Sequence, residues 1–178
     1  MNQDFGRWLR AANPLNAPRG MAEAQRGARL AAVALLLQTV GGLPLSLHII
    51  ANPQSVIRLM MEEFERSGVP SDTSYVEAIG PIISGAYLVA LVVMTVIYLI
   101  LAKVQWRNMK RTIPLVMLAF AGWSYFSVLL QLATRGRLPY VDAPVLYGWS
   151  WLVMTLCTVL YVAAFRNATA LEKMKRAP

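Results

Sequence analysis

The sequence predicts an all-α integral membrane protein built as a four-helix bundle. Three observations carry that prediction. Four long stretches, Leu30–Ile57, Ala78–Ala102, Thr112–Thr134 and Ala143–Phe165, contain no Asp, Glu, Lys or Arg. Each exceeds the roughly 20 residues that a helix needs to cross a hydrocarbon core. The cations also sort by connector, as they do when loops are held on one side of a membrane. The spans are expected at about 30–51, 78–102, 112–134 and 143–165, and they fill most of the 178 residues. One membrane domain, 1–178, is therefore expected.

The sign of the charge fixes a topology. Arg7, Arg10, Arg19, Arg26 and Arg29 precede the first span. Lys103, Arg107, Lys110 and Arg111 lie between the second and third spans. Arg166, Lys173, Lys175 and Arg176 follow the fourth. The other two connectors hold only Arg58, Arg66, Arg135 and Arg137, and the first of them adds Glu62, Glu63, Glu65, Asp72 and Glu77. Thirteen cations against four predict both termini in the cytoplasm, and a bacterial inner membrane is the expected compartment. A net charge of +8 then reads as a topology signal and anionic-lipid contact, with no nucleic-acid partner. The first span lies some thirty residues in and lacks a small-residue cleavage signature, so it is expected to stay as a signal anchor.

Ahead of it, Phe5, Trp8, Leu9 and Ala12 recur at helical spacing with Arg7 and Arg10 opposite. This predicts an interfacial N-terminal helix, ended by Pro14 and Pro18, with Asn13–Gly20 as a linker. Gly41-Gly42 and Pro44 predict a kink in the first span. Asn52-Pro53 reads as an N-cap followed by a first-turn proline. It introduces an external amphipathic helix over about 53–67 with Val56, Ile57, Met60, Met61 and Phe64 along one face and Gly68 as its stop. Ser74 and Glu77 have the spacing of a capping box. Pro114 falls in the first turn of the third span, where proline is tolerated. The short connector from Arg135 to Pro144 makes the third and fourth spans neighbours. Aromatic residues suit both interfaces, Trp106, Tyr161 and Phe165 inside and Tyr140, Tyr147, Trp149 and Trp151 outside.

Each span carries a stripe of small or polar residues: Ala34, Gln38, Gly41 and His48; Ser84, Tyr87, Thr95 and Tyr98; Ser124, Ser127 and Gln131; Ser150, Cys157 and Tyr161. Such stripes usually face other helices. By depth, His48, Ser84, Tyr87, Gln131 and Ser150 share the outer half of the bilayer and form a candidate outward-facing pocket for a lipid headgroup or small amphiphile. Phe5, Trp8 and Leu9, with the apolar face of the external helix, are candidate docking surfaces.

The chemistry available is narrow. Metal sites require three or four ligands, and the single His48 and single Cys157 have no helpers at a suitable spacing. No metal and no cofactor is expected. Glu62 and Glu65 share the external helix, but Arg58 and Arg66 stand four residues to either side of Glu62 and would neutralise it. No intramembrane carboxylate is present for ion-coupled transport. Asn167-Ala168-Thr169 matches a glycosylation acceptor on the predicted cytoplasmic side and reads as incidental. The expected function is non-enzymatic: an accessory, assembly or regulatory subunit of a larger membrane complex, with the bilayer and other membrane subunits as partners. The alternatives are a binder or transporter of a lipid or amphiphile using the outer pocket, and an oligomeric channel.

Overall fold

In the computed structural model, which describes residues 2–66, 68, 73–136 and 143–176, the chain is helical almost throughout. The helices are α1 (Asn2–Ala12), α2 (Met21–Ala51), α3 (Gln54–Arg66), α4 (Thr73–Asn108), α5 (Thr112–Arg135) and α6 (Pro144–Arg176). Among the described residues, α2, α4, α5 and α6 are long and apolar enough to cross a membrane. The capping-box pair Ser74 and Glu77, and Tyr140 of the expected outer aromatic belt, lie outside the described residues or side chains.

Helix ends differ from those expected. With α2 at 31 residues and α6 at 33, each helix is about 45–50 Å long at 1.5 Å per residue, well beyond a hydrocarbon core of about 30 Å. Charge-free runs mark where a helix can lie in lipid. They do not mark where it stops, because alanine, arginine, lysine and glutamate all propagate a helix well. The helix therefore starts at Met21, nine residues ahead of Leu30, and α6 runs eleven residues past Phe165. These extensions, with α1 and the α4–α5 turn, form a basal end that carries both termini. The opposite, distal end holds α3.

The linker over 13–20 is as expected. The Asn52-Pro53 reading needs correction. Asn52 finishes α2 rather than starting α3: its backbone N–H donates to His48 O at 2.9 Å and its Nδ2 to the same oxygen at 3.2 Å. That carbonyl would otherwise be an orphan of the last turn. Pro53 takes the cap position instead, and its carbonyl accepts from Ile57 N at 3.0 Å. α3 ends as expected, with Gly68 left-handed at φ 70°. Between α4 and α5 the chain turns through Met109, a left-handed non-glycine residue at φ 51°.

Packing is uneven. The most extensive contact is between α2 and α6, followed by α2 with α4 and then α5 with α6. α4 and α5 make no comparable contact with one another, so the four helices form a row, α4–α2–α6–α5, with α2 and α6 at its centre. The core is made of Leu30, Ala31, Ala34, Leu35, Val153, Cys157, Tyr161, Ala163 and Ala164, with Ala102 and Met117 closing it from α4 and α5. Most of these residues lie in the basal half. Away from these contacts, α4 exposes Val89, Val92 and Ile100 and α5 exposes Trp123, Phe126 and Leu129.

Two glycines allow the central approach. A Cβ on Gly27 would overlap the Asn167 side chain, and one on Gly41 would stand 2.6 Å from Val153 Cγ1. Gly41 admits Val153, and α2 continues as helix through Pro44. Gly42, the next residue, has open space around it. Gly41→Ala should therefore cost about 1–3 kcal/mol through overpacking. Gly42→Ala should be neutral or slightly stabilising, because alanine is the better helix former. Reversible unfolding of both variants in detergent checks the contrast.

Candidate functional site

The polar residues fall into a distal and a basal group. On the distal side, Ser84 donates its hydroxyl to Ile50 O at 2.9 Å, fastening α4 to the end of α2. His48 is half-buried, with Nδ1 3.4 Å from Asn52 Nδ2 on its own helix. Tyr87 is half-buried on α4, Gln131 on α5 and Ser150 on α6. Ser84 thus sits on the α2–α4 seam, and both it and His48 have partners within the fold. Gln131 stands on α5 and Ser150 on α6, two helices that meet along a second seam. That seam is aromatic: Tyr125 Oη lies 3.1 Å from Thr155 Oγ1, and its ring stacks at a tilt on Trp151 with centroids 5.3 Å apart.

The central seam uses the expected stripes as helix-to-helix glue. Tyr161 donates to Gln38 Oε1 at 2.8 Å, Cys157 Sγ lies 3.4 Å from Ala34 O, and Trp149 Nε1 donates to Gly41 O at 3.1 Å. The last bond requires the same close approach that Gly41 permits. It also places Trp149 against α2 rather than in an interfacial belt alone.

The expected docking residues divide. Trp8 packs on the core, while Phe5 and Leu9 are exposed. On α3, Ile57 is buried against α4 beside Gly80, Val56 and Met61 are half-buried, and Met60 and Phe64 are exposed. Each helix therefore uses part of its apolar face to hold itself to the bundle and leaves part uncovered.

The basal group was not anticipated. Asn167 is buried and donates Nδ2 to Ala163 O at 2.8 Å and to Ala11 O at 3.2 Å, so one side chain pins α1 to α6 under Gly27. The glycosylation-like triplet is thereby explained as packing. Gln105 is fully buried and donates to Ala28 O at 2.9 Å, tying α4 to α2. Beside it, the Arg29 guanidinium lies 5.2 Å from the Trp106 ring centroid, a cation–π distance. Arg10 pairs with Glu23 at 3.1 Å, and the same carboxylate accepts from Arg19 N at 2.8 Å. Arg111 pairs with Glu172 at 3.4 Å, joining the α4–α5 turn to α6.

A signal for these residues does exist in the sequence. Tyr98, Ala102 and Gln105 continue one stripe of α4, and Ala163 and Asn167 one stripe of α6, at spacings of three and four. That period runs past the last uncharged residue and reaches both amides.

The fold defines a class, an all-helical protein of the membrane type with four helices long and apolar enough to span a bilayer. Comparison with protein-family models, curated proteins and solved structures returned no match.

Removing the amide in Asn167→Ala should release α1 while leaving the four long helices paired. Hydrogen exchange over residues 2–12 should accelerate, with α2 and α6 unchanged. Tyr161→Phe should cost only about 0.6 kcal/mol, the average for one interhelical bond in a membrane protein, as measured by unfolding in detergent.

Proposed function

We propose that this protein is a non-enzymatic accessory, assembly or regulatory subunit of a larger complex in a bacterial inner membrane. Both termini, and hence the basal end, face the cytoplasm. The charge bias supports the orientation: thirteen of the seventeen Lys and Arg residues belong to the basal end.

The observation that carries the subunit reading is the state of α4. Its apolar surface is uncovered on nearly every side, with Val89 at 64 %, Val92 at 55 % and Ile100 at 56 % exposure. Its main contacts are with α2, although the short α4–α5 turn holds it close to α5 at the base. Lipid alone can cover such a helix. A span held on one side, beside a second exposed span on α5, also offers apolar surface for helices of another chain. In a membrane such association relies on packing and interhelical bonds rather than on the hydrophobic effect. The exposed Met60 and Phe64 of α3 offer a second contact on the distal side, and Phe5 and Leu9 of α1 a third on the basal side. The pocket reading has less support, because Ser84 and His48 already have partners within the fold.

Affinity purification from native membranes in mild detergent, followed by mass spectrometry, tests the proposal. A reproducible membrane partner is expected, and it should be lost on placing a bulky residue on the uncovered face of α4, as in Val92→Trp. A protein that purifies alone from its native membrane would contradict it.

A further inference from the structure

At the basal end, an open cavity of about 420 Å³ lies between α1 and the start of α2, lined by Arg7, Arg10, Arg19, Gly20, Glu23 and Arg26, among others. Four arginines line it, and Glu23 is the single carboxylate among its lining residues. Glu23 is already engaged by Arg10, at 3.1 Å, and by the backbone N–H of Arg19. Arg19 and Arg26 have no ion-pair partner among the described residues, so at least two cations face the cavity without a neutralising group. From these residues the geometry points to a binding site for a multiply charged phosphate, a phosphomonoester or pyrophosphate group.

Three features support this chemistry. Guanidinium groups present paired donors that match phosphate oxygens and stay charged at any physiological pH. The cavity has room for on the order of ten waters at roughly 30 Å³ each, hence for a phosphate together with the group that carries it. Its floor is the N-terminal turn of the 31-residue α2, where Gly20 provides no side-chain cap and first-turn amides remain available to an anion. A singly charged phosphodiester would leave part of the arginine charge unanswered.

Depth separates two sources of such a group. For a helix along the membrane normal, Arg26 lies about 6 Å and Gly20 about 15 Å beyond Leu30. The headgroup layer on each side is roughly 5–8 Å thick. The cavity thus begins among headgroups and extends past them. It can be reached by a lipid whose phosphate projects outward or by a soluble phosphate compound. The inference is independent of the accessory-subunit reading, since it requires only the α1–α2 junction.

The test uses the full-length protein. Inorganic pyrophosphate is titrated into detergent-solubilised protein by calorimetry. Separately, protein in phosphatidylcholine nanodiscs doped with phosphatidic acid or with phosphatidylglycerol is scored for retained lipid by native mass spectrometry. Arg19→Gln/Arg26→Gln is compared with Lys173→Gln/Arg176→Gln, which removes the same charge from exposed positions on α6. Wild type and the α6 variant should bind alike, and Arg19→Gln/Arg26→Gln should bind about tenfold more weakly for each arginine lost. Circular dichroism confirms folding, and the exposed single change Arg19→Gln serves if the double variant is unstable. Pyrophosphate binding without lipid preference assigns a soluble ligand, and retention of phosphatidic acid over phosphatidylglycerol assigns a lipid. Binding of neither probe, or equal loss in both variants, overturns the site.

Discussion

Helices α2 and α6 approach closely enough for side chains of one to touch the backbone of the other, and the remaining elements are arranged around that contact. Gly27 and Gly41 remove the two Cβ atoms that would hold the helices apart. Ala28, Ala31, Ala34, Ala163, Ala164 and Ala168 keep the rest of the seam thin, all of them buried. In a membrane this counts for more than in water. Apolar residues gain little by leaving lipid, so close packing and interhelical hydrogen bonds have to hold the helices together. The bonds from Trp149 to Gly41 O and from Tyr161 to Gln38 depend on the distance that the glycines set.

The same constraint explains the asymmetry of the molecule. Small residues and buried amides concentrate toward the termini, so α1, α4 and α5 are gathered at the basal end by Asn167, Gln105, Met117 and the Arg111–Glu172 pair. Toward the distal end the seams rely on isolated bonds such as Ser84 to Ile50 O. Large aliphatic residues there point outward from α4 and α5. A firm base with two uncovered spans suits a protein that joins others more readily than one enclosing a reaction. The basic cavity adds a polar counterpart at the firm end.

Much of this was legible in the sequence, for identifiable reasons. The four spans follow from uncharged length, the linker from Pro14 and Pro18, and the contact between α5 and α6 from a short connector. Gln38, Cys157 and Tyr161 were recognised as members of polar stripes, although spacing alone does not say which helix answers which. The helix ends were misplaced because charge marks the membrane boundary and not the end of a hydrogen-bonded ladder. Asn167 and Gln105 were hidden for the same reason, standing among cations just past the uncharged runs. Asn52 is ambiguous in the sequence because it lies between two helices: a residue with one side-chain amide can serve the end of α2 or the start of α3. Only the conformation shows which. The five distal residues share a depth, which a hydropathy reading supplies; which neighbour each side chain meets depends on the order of helices in the row.

The rest of the fold depends on the pairing of α2 with α6, and cysteine cross-linking measures that pairing directly. Cys157 is the sole cysteine, buried with its sulfur 3.4 Å from Ala34 O. Introducing Ala34→Cys should give rapid intramolecular disulfide formation on mild oxidation in membranes, visible as a mobility shift reversed by reductant. Val33→Cys, on the exposed side of α2, should give none. Equal cross-linking of both variants, or cross-linking of Val33→Cys alone, would contradict the arrangement of the helices described here.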